Sequence, residues 1–425
     1  MNFRPYKLAI IGFGTVGEGV YETLNKKADK LKALLERPLD IPIILVKDKD
    51  KKRNVKRETK VTTSFSEVLN FDSLDVVVEA TPDAEIGYPY VTELLRRGIS
   101  VITANKELIA KHGLELNKLA EAHGAHLLFE AAVAGGIPLL NTLSHCLKTN
   151  TISKIEAILN GTSNYMLTKM RTEEASFEKA LKEAQEKGYA EATPDKDVDG
   201  WDAYFKTTIL SHWIYGKTPI WTEQHPRGIR EVHLTDIKLA EEMSGRIKHV
   251  ASLEKIGSYI HASAEPCLVL QDNPLYSVEG VNNGIYIEGS ILGSLLLQGA
   301  GAGKYPTSSA IAEDLVNLLK NKHNKPTEKE IEFTNHGFEQ TPEERDADFR
   351  LYFLTGDKDL PEKLRESGID LLQERKGAMS GSIIFTSLKQ LDINELKRFN
   401  VNVYPVLTNK KETFAEKQNN KAQPV

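Results

Sequence analysis

Lys7-Leu8-Ala9-Ile10-Ile11-Gly12-Phe13-Gly14-Thr15-Val16-Gly17 decides the fold. Lys7 to Ile11 reads as a short, mostly apolar strand. Gly12-x-Gly14-x-x-Gly17 follows at once and opens a helical pattern that runs from Gly17 to Leu35. In that setting the three glycines differ in what they allow. Gly12 permits a tight turn, Gly14 lets the backbone approach a pyrophosphate, and Gly17 lets helix and strand pack closely. Phe13, Thr15 and Val16 complete the turn, and the start of the helix presents free N–H groups and the positive end of its dipole to an anion. The expected ligand is a dinucleotide; the alternative is a glycine-rich turn of structural use only.

Working outward, Ile41 to Lys47, Val76 to Ala80 and Val101 to Ala104 are further strand-like runs. Tyr90 to Arg97 is helical between the last two, and Leu127 to Glu130 adds a strand before the small-residue turn Ala131 to Pro138. Strands alternating with helices predict a parallel sheet covered on both faces. The second strand ends in Val46-Lys47-Asp48-Lys49, with Arg53 just beyond. An acid there would hold the ribose hydroxyls of NAD, whereas a cation accommodates the extra phosphate of NADP. Lys47 therefore favours NADP, Asp48 leaves NAD open, and a solvated loop is the plainer alternative.

The 425 residues suit two or three domains, and a net charge of -5 argues against a nucleic-acid binder, which needs a basic surface. Cys146 and Cys267 lie far apart without a CxxC partner, so neither a disulfide framework nor a zinc site is expected and a reducing cytoplasm fits. Met1 to Lys7 contains Arg4 and Pro5 and leads straight into a strand, unlike a signal peptide. No apolar run approaches the roughly 20 residues of a membrane-spanning helix.

From Ser153 the pattern changes: a strand to Leu159, a charged helix from Phe177 to Lys187, then the acidic turn Glu191 to Gly200. Gly188 can end the helix and Pro194 can stiffen the loop. A helix starting near Gly200 would put Asp202 and Lys206 on one face. A lysine beside a carboxylate in a partly desolvated cleft can give or take a proton, and Glu191 and Asp197 are left to bind a substrate ammonium. The alternative is a surface loop with an ordinary salt bridge. Ser290 to Gly303 and the helix Ala310 to Lys320 are expected to return to the first domain. Beyond a Lys-, Asn- and Pro-rich linker, Phe349 to Leu354, Pro361 to Ser367, Ile369 to Glu374, Ser382 to Ser387, Ile393 to Phe399 and Val401 to Leu407 read as βαββαβ.

The run Ala184 to Lys206 resembles the signature of homoserine dehydrogenases: Gly188 and Tyr189, an acid, Pro194, the Asp197-Val198-Asp199-Gly200-Trp201-Asp202 core, and Lys206. Thr103 to Lys106, Glu130 to Pro138, Asn160 to Asn164 and Gly299 to Ala310 resemble the same family in the same order, covering most of residues 7 to 320. The resemblance implies interconversion of L-homoserine and L-aspartate 4-semialdehyde with NADP or NAD. In it Lys206 is catalytic, Lys106 joins cofactor to substrate, and Asp202 supports Lys206. Glu191, Asp197, Thr162 and Tyr189 would meet the substrate; Thr81, Gly188 and Gly303 would lie near the cofactor. Oxygens of Glu130, Val133, Gly135 and Ile137 would hold a monovalent cation, usually sodium, unless that loop is a plain strand-to-helix turn. Thr193, Phe205 and Thr81-Pro82-Asp83 depart from the usual pattern.

The C-terminal βαββαβ resembles an ACT regulatory domain, implying either sensing of an amino acid such as threonine or a structural, oligomer-forming role. The expected α/β architecture is a Rossmann-type domain (1–130 and about 300–320), an α+β substrate and dimerisation domain (131–299), a linker (321–344), the ACT-like unit (345–408) and a flexible tail (409–425), in a homodimer or homotetramer. The competing functions are another Rossmann oxidoreductase of a related semialdehyde and a catalytically silent ACT-linked sensor; Lys106, Asp202 and Lys206 argue against silence, since a sensor needs no proton-transfer groups.

Overall fold

Leu8, Ala9 and Ile10 are completely buried in the middle of a six-stranded sheet. The strands are β1 (Tyr6–Ile11), β2 (Leu39–Leu45), β3 (Lys60–Thr62), β4 (Val76–Glu79), β5 (Ser100–Thr103) and β6 (Leu127–Leu128). They run parallel in the order β3-β2-β1-β4-β5-β6. Helices cover both faces of such a sheet, which is why its central strands carry apolar stretches such as Leu8 to Ile11 and Val76 to Val78. The order reverses between β1 and β4, and the crevice at the carboxyl ends of those strands is where open α/β sheets bind ligands.

This computed structural model describes residues 4–221, 226–321, 350–369, 371–376, 382–388, 396, 399 and 401–409. They fall into two compact units, one within Met1–Asn150, Thr208–Thr218 and Gly299–Glu332, the other within Thr151–Thr207, Pro219–Gln298 and Phe333–Val425. The expected helix from Gly17 to Leu35 is two helices, Thr15–Lys26 and Ala28–Leu35, broken at Lys27. Val20, Leu24, Leu31 and Leu35 share one core and keep helical spacing across the break, so the apolar pattern gives no sign of it.

The first unit continues past residue 130, where the sequence placed a boundary, as far as Asn150. Ala131 packs in the core of Leu8 and Ile10, Leu139 and Leu140 are buried, and the Glu130 carboxylate accepts the N–H groups of Leu140 and Asn141. Helix Lys304–Asn321 contributes Ala310, Ile311 and Leu315 to the same core. Helix Trp201–Tyr215 crosses from one unit to the other after Thr207.

The second unit holds β7 (Ile152–Ile158), β8 (Ile220–Trp221), β9 (Gly245–Ile256), β10 (Tyr259–Leu270), β11 (Asn282–Gly289), β12 (Gly293–Ala300, all but its last two residues), β13 (Arg350–Gly356), β14 (Leu371–Lys376), β15 (Ser382–Leu388) and β16 (Asn402–Leu407). Their order is β12-β11-β7-β9-β10-β16-β13-β15-β14, with β8 beside β10. The C-terminal strands, expected as an ACT-like unit, pair antiparallel in the order β16-β13-β15-β14 and also extend this sheet: β16 pairs with β10 through Leu268↔Val406 and Val269↔Leu407. Tyr352, Leu354, Leu360, Leu364 and Val403 form a small core beneath them. The expected linker and tail, and all of the expected helix Ile393 to Phe399 but Leu396 and Phe399, lie outside the described residues. Among the described residues no helix is long and apolar enough to cross a membrane.

Asp236, on helix Leu234–Glu242, ties the C-terminal strands to the rest of the unit. Its carboxylate is 3% exposed and accepts from Thr355 Oγ1 (2.5 Å), Asn402 Nδ2 (2.8 Å) and Tyr404 Oη (2.8 Å), and from the His233 N–H (3.1 Å). Truncating this acceptor strands the buried Thr355 and Tyr404 hydroxyls. Asp236→Ala is expected to lower unfolding stability by roughly 2–4 kcal/mol, read from the denaturant midpoint; an unchanged midpoint would show that the strands are held by their core alone.

Candidate active site

The first unit carries the glycine turn. Gly12 has φ +88°, and a Cβ there would lie 2.4 Å from the Ala80 carbonyl oxygen; a Cβ on Gly17 would lie 2.1 Å from the Gly12 oxygen. Both positions exclude any side chain. Gly14 is exposed, with nothing within 4 Å of a Cβ, so its tolerance of close approach faces outward, where a phosphate would sit. The first helical bond runs from the Glu18 N–H to the Gly14 carbonyl, which leaves the N–H groups of Thr15, Val16 and Gly17 at the open helix start. The cradle fits a dinucleotide pyrophosphate.

Lys47 is exposed just beyond β2. Asp48 turns one carboxylate oxygen back to the Asp50 N–H (2.8 Å), and the Arg53 guanidinium closes the loop on the carbonyls of Asp48 (2.6 Å) and Lys51 (2.8 Å). After β4, the Thr81 N–H and hydroxyl both reach the Glu79 carboxylate. After β5, Asn105 caps helix Lys106–Ala122 by accepting the Leu108 N–H at 3.0 Å, which places Lys106 on the first turn, half-buried. Gly303, φ +117°, opens helix Lys304–Asn321, and Lys304 pairs with Glu18 and Glu22 of helix Thr15–Lys26, both at 3.0 Å.

The loop proposed from sequence for a cation begins with a helical turn, Ala131–Ala134, ended by Gly135 at φ +58° against the Gly301 carbonyl. The Glu130 carboxylate is taken by Leu140 and Asn141. Burial raises its pKa, and raises that of Asp314, which accepts the Glu130 N–H, to about 7. What Glu130, Val133, Gly135 and Ile137 can offer together is main-chain oxygen, a donor set suited to a hard cation. The described residues contain no cluster of acidic, histidine and cysteine side chains able to hold a metal.

The second unit carries the acidic turn. Lys206 is 7% exposed on helix Trp201–Tyr215, and its Nζ donates to Asp202 Oδ2 (2.8 Å), one turn earlier, and to the Leu159 carbonyl (2.7 Å) at the end of β7. Asn160 Nδ2 donates to both Asp202 Oδ2 (3.0 Å) and Asp197 Oδ1 (2.8 Å), while Asn160 Oδ1 caps helix Gly161–Glu173. Asn283 Nδ2 shares the Leu159 carbonyl at 2.8 Å. The turn itself is pinned from below: Ser163 Oγ reaches the Asp197 carbonyl, the Ile229 N–H reaches the Val198 carbonyl, and Arg230 pairs with Asp195 and Asp199. His249 packs under Gly200 and faces the Arg227 carbonyl at 3.0 Å; burial pushes it down to about 4, so it is neutral at physiological pH.

Lys206, Asp202 and Asp197 are thus brought together. Thr162 and Tyr189 also meet, hydroxyl to carbonyl at 2.7 Å, with the Tyr189 ring exposed, and Gly188 at φ +72° ends the preceding helix. Glu191 is not drawn into the cluster; its side chain is exposed and its carbonyl accepts from Gln185. Sequence reasoning gave no role to Asn160, Leu159, Asn283, His249 or Glu79. A capping asparagine before Gly161-Thr162-Ser163 was readable, but its bridge to two aspartates about forty residues on was not.

Two family models match the chain, "Homoserine dehydrogenase, NAD binding domain" over residues 12–130 and "Homoserine dehydrogenase" over 138–316. The homoserine dehydrogenase of Lactococcus lactis is 37% identical over 74% of this chain and 74% of its own length, and that of Bacillus subtilis 37% over 75% and 74%. A homoserine dehydrogenase structure from Thiobacillus denitrificans superposes with a TM-score of 0.82 at 29% identity, covering 95% of this chain and 99% of that one. A hyperthermophilic archaeal homoserine dehydrogenase in complex with NADPH covers 74% of this chain and 97% of its own, with a TM-score of 0.63 and 29% identity. The glycine cradle, the acidic turn around Lys206 and this breadth of likeness agree: the chain belongs to the homoserine dehydrogenase family.

Proposed function

We propose that this chain interconverts L-homoserine and L-aspartate 4-semialdehyde with NADP in preference to NAD, and that Lys206 moves the proton. The observation that carries the reading is the buried Lys206 ammonium held between Asp202 and the Leu159 carbonyl, with Asn160 tying Asp202 to Asp197. A bound nicotinamide supplies or accepts the hydride. As the carbonyl is reduced its oxygen gains negative charge, which an ammonium stabilises and then protonates; in the oxidative direction the same nitrogen takes the hydroxyl proton. Asp202 keeps Lys206 in place, Asp197 and Glu191 attract the substrate ammonium, and Lys106 adds positive potential where cofactor and substrate meet. Thr162 fixes the Tyr189 carbonyl and so shapes the wall of the substrate site.

Lys47 is the proposed partner of a 2′-phosphate. It is exposed at the end of β2, whereas Asp48, the acid that would favour NAD, is partly engaged in its own turn; the archaeal relative solved with NADPH supports the preference. Sodium is proposed to sit on the main-chain oxygens of Glu130, Val133, Gly135 and Ile137, ordering the turn that packs against Gly301.

Lys206→Ala is expected to cut kcat for homoserine oxidation by about 10²–10⁴-fold while NADPH affinity, measured by fluorescence titration, stays near wild type; near-native turnover rules out the assignment. Lys47→Glu should raise KM for NADP at least about tenfold and leave KM for NAD little changed, since the lost contact is worth one charge-assisted bond. An equal rise for both cofactors would remove Lys47 from the phosphate site. Exchanging sodium for choline at constant ionic strength should lower kcat/KM, and identical rates in the two salts would dispose of the cation.

A further inference from the structure

Glu79 ends β4 with no solvent exposure, an acid in the middle of an apolar sheet. Removing a carboxyl from water is unfavourable unless its oxygens are fully used. Here they are used by two different loops. Oε1 accepts the Thr81 N–H at 2.6 Å and the Thr81 hydroxyl; Oε2 accepts the Thr103 hydroxyl at 2.5 Å. Thr103 Oγ1 accepts the Asn105 N–H at 2.9 Å, and Asn105 Nδ2 crosses back to the Asp83 carbonyl at 2.7 Å. Asn105 is also the cap that starts the helix of Lys106, and Asp83 caps helix Ala84–Arg96 through the Ile86 N–H at 2.9 Å. Gly87 on that helix lies against the cluster: a Cβ there would stand 3.0 Å from Asn105 Nδ2 and from Thr81 Oγ1, and 3.2 Å from Glu79 Oε1.

We propose that Glu79 is a positioning residue for the reaction: by holding the Thr81–Asp83 and Thr103–Asn105 turns in one arrangement at the carboxyl ends of β4 and β5, it fixes the point from which the Lys106 ammonium acts. The inference rests on the role proposed above for Lys106. Three hydroxyl and amide donors converge on the carboxylate, two from Thr81 in the turn after β4 and one from Thr103 at the end of β5, and each of these places leads into a capped helix start. Burial raises the Glu79 pKa, while the bonds from Thr103 and Thr81 oppose that rise. A neutral amide cannot satisfy the same three donors, because one of its two termini is itself a donor.

The test compares Glu79→Gln, Thr103→Val and Thr103→Ser, each alone and combined with Lys106→Ala, reading kcat, KM for homoserine, NADPH dissociation constant and thermal midpoint in the full chain. Glu79→Gln and Thr103→Val are expected to lower kcat about tenfold, Thr103→Ser to recover the loss because it keeps the hydroxyl, and neither damaging change to cost more than about twofold further once Lys106 is alanine. If Glu79→Gln does not fold, the valine and serine variants at Thr103 decide alone. Folded variants with kcat within twofold of the parent overturn the proposal, as does a full tenfold loss persisting over a disabled Lys106→Ala enzyme. Should Lys106→Ala by itself keep its turnover, the role of Lys106 falls and this inference falls with it, a result distinct from additive losses.

Discussion

A lysine ammonium that is nine-tenths buried has to be surrounded by acceptors, and much of the second unit is arranged to provide them. The desolvation of Lys206 and Asp202 costs several kcal/mol for each charge, which their mutual attraction offsets only with further hydrogen bonds in good geometry. The Leu159 carbonyl is one; it is available because β7 ends there and the chain turns into the helix capped by Asn160. The Asn160 amide supports the pair from the other side, donating to Asp202 and to Asp197 and so binding the acidic turn to helix Trp201–Tyr215. Satisfying one buried charge thereby fixes strand end, helix start and turn together.

The first unit solves a different problem with fewer atoms. Bringing a backbone against a pyrophosphate demands positions with no side chain, and Gly12 and Gly17 are crowded by main-chain oxygen at distances no Cβ tolerates. Gly14, by contrast, is open on its outer side. Parallel pairing then brings the ends of β1, β4 and β5 to one edge of the sheet, so the turns following β4 and β5 can share Glu79. A buried acid in a cofactor-binding sheet is costly, and its use as a common acceptor for two loops gives that cost a purpose.

Legibility varied with the range of the interaction. The strand runs, the glycine turn and the Asp202/Lys206 spacing follow local periodicity, and the structure places each within a few residues of its expected span. The break at Lys27 was hidden because the apolar spacing continues across it. The extent of the first unit was hidden because what keeps residues 131–150 there is partly polar and distant: Glu130 with Leu140 and Asn141, and Asn141 with Asn317. The four C-terminal strands and the helix Leu360–Glu366 were readable, but the pairing to β10 across more than a hundred residues was not, nor was the role of Asp236 in holding it.

The sequence by itself determined the classes of element, the dinucleotide turn, and the candidate proton-transfer group with its carboxylate, because each depends on residues a few positions apart whose geometry a strand or helix dictates. Tertiary structure alone decided which acids lie in the cluster with that group. Asp197 is drawn in by Asn160 and Glu191 is left at the surface, although both stand in the same acidic turn. The difference lies in a side chain from the end of a distant strand, and such a contact leaves no periodic trace in the chain.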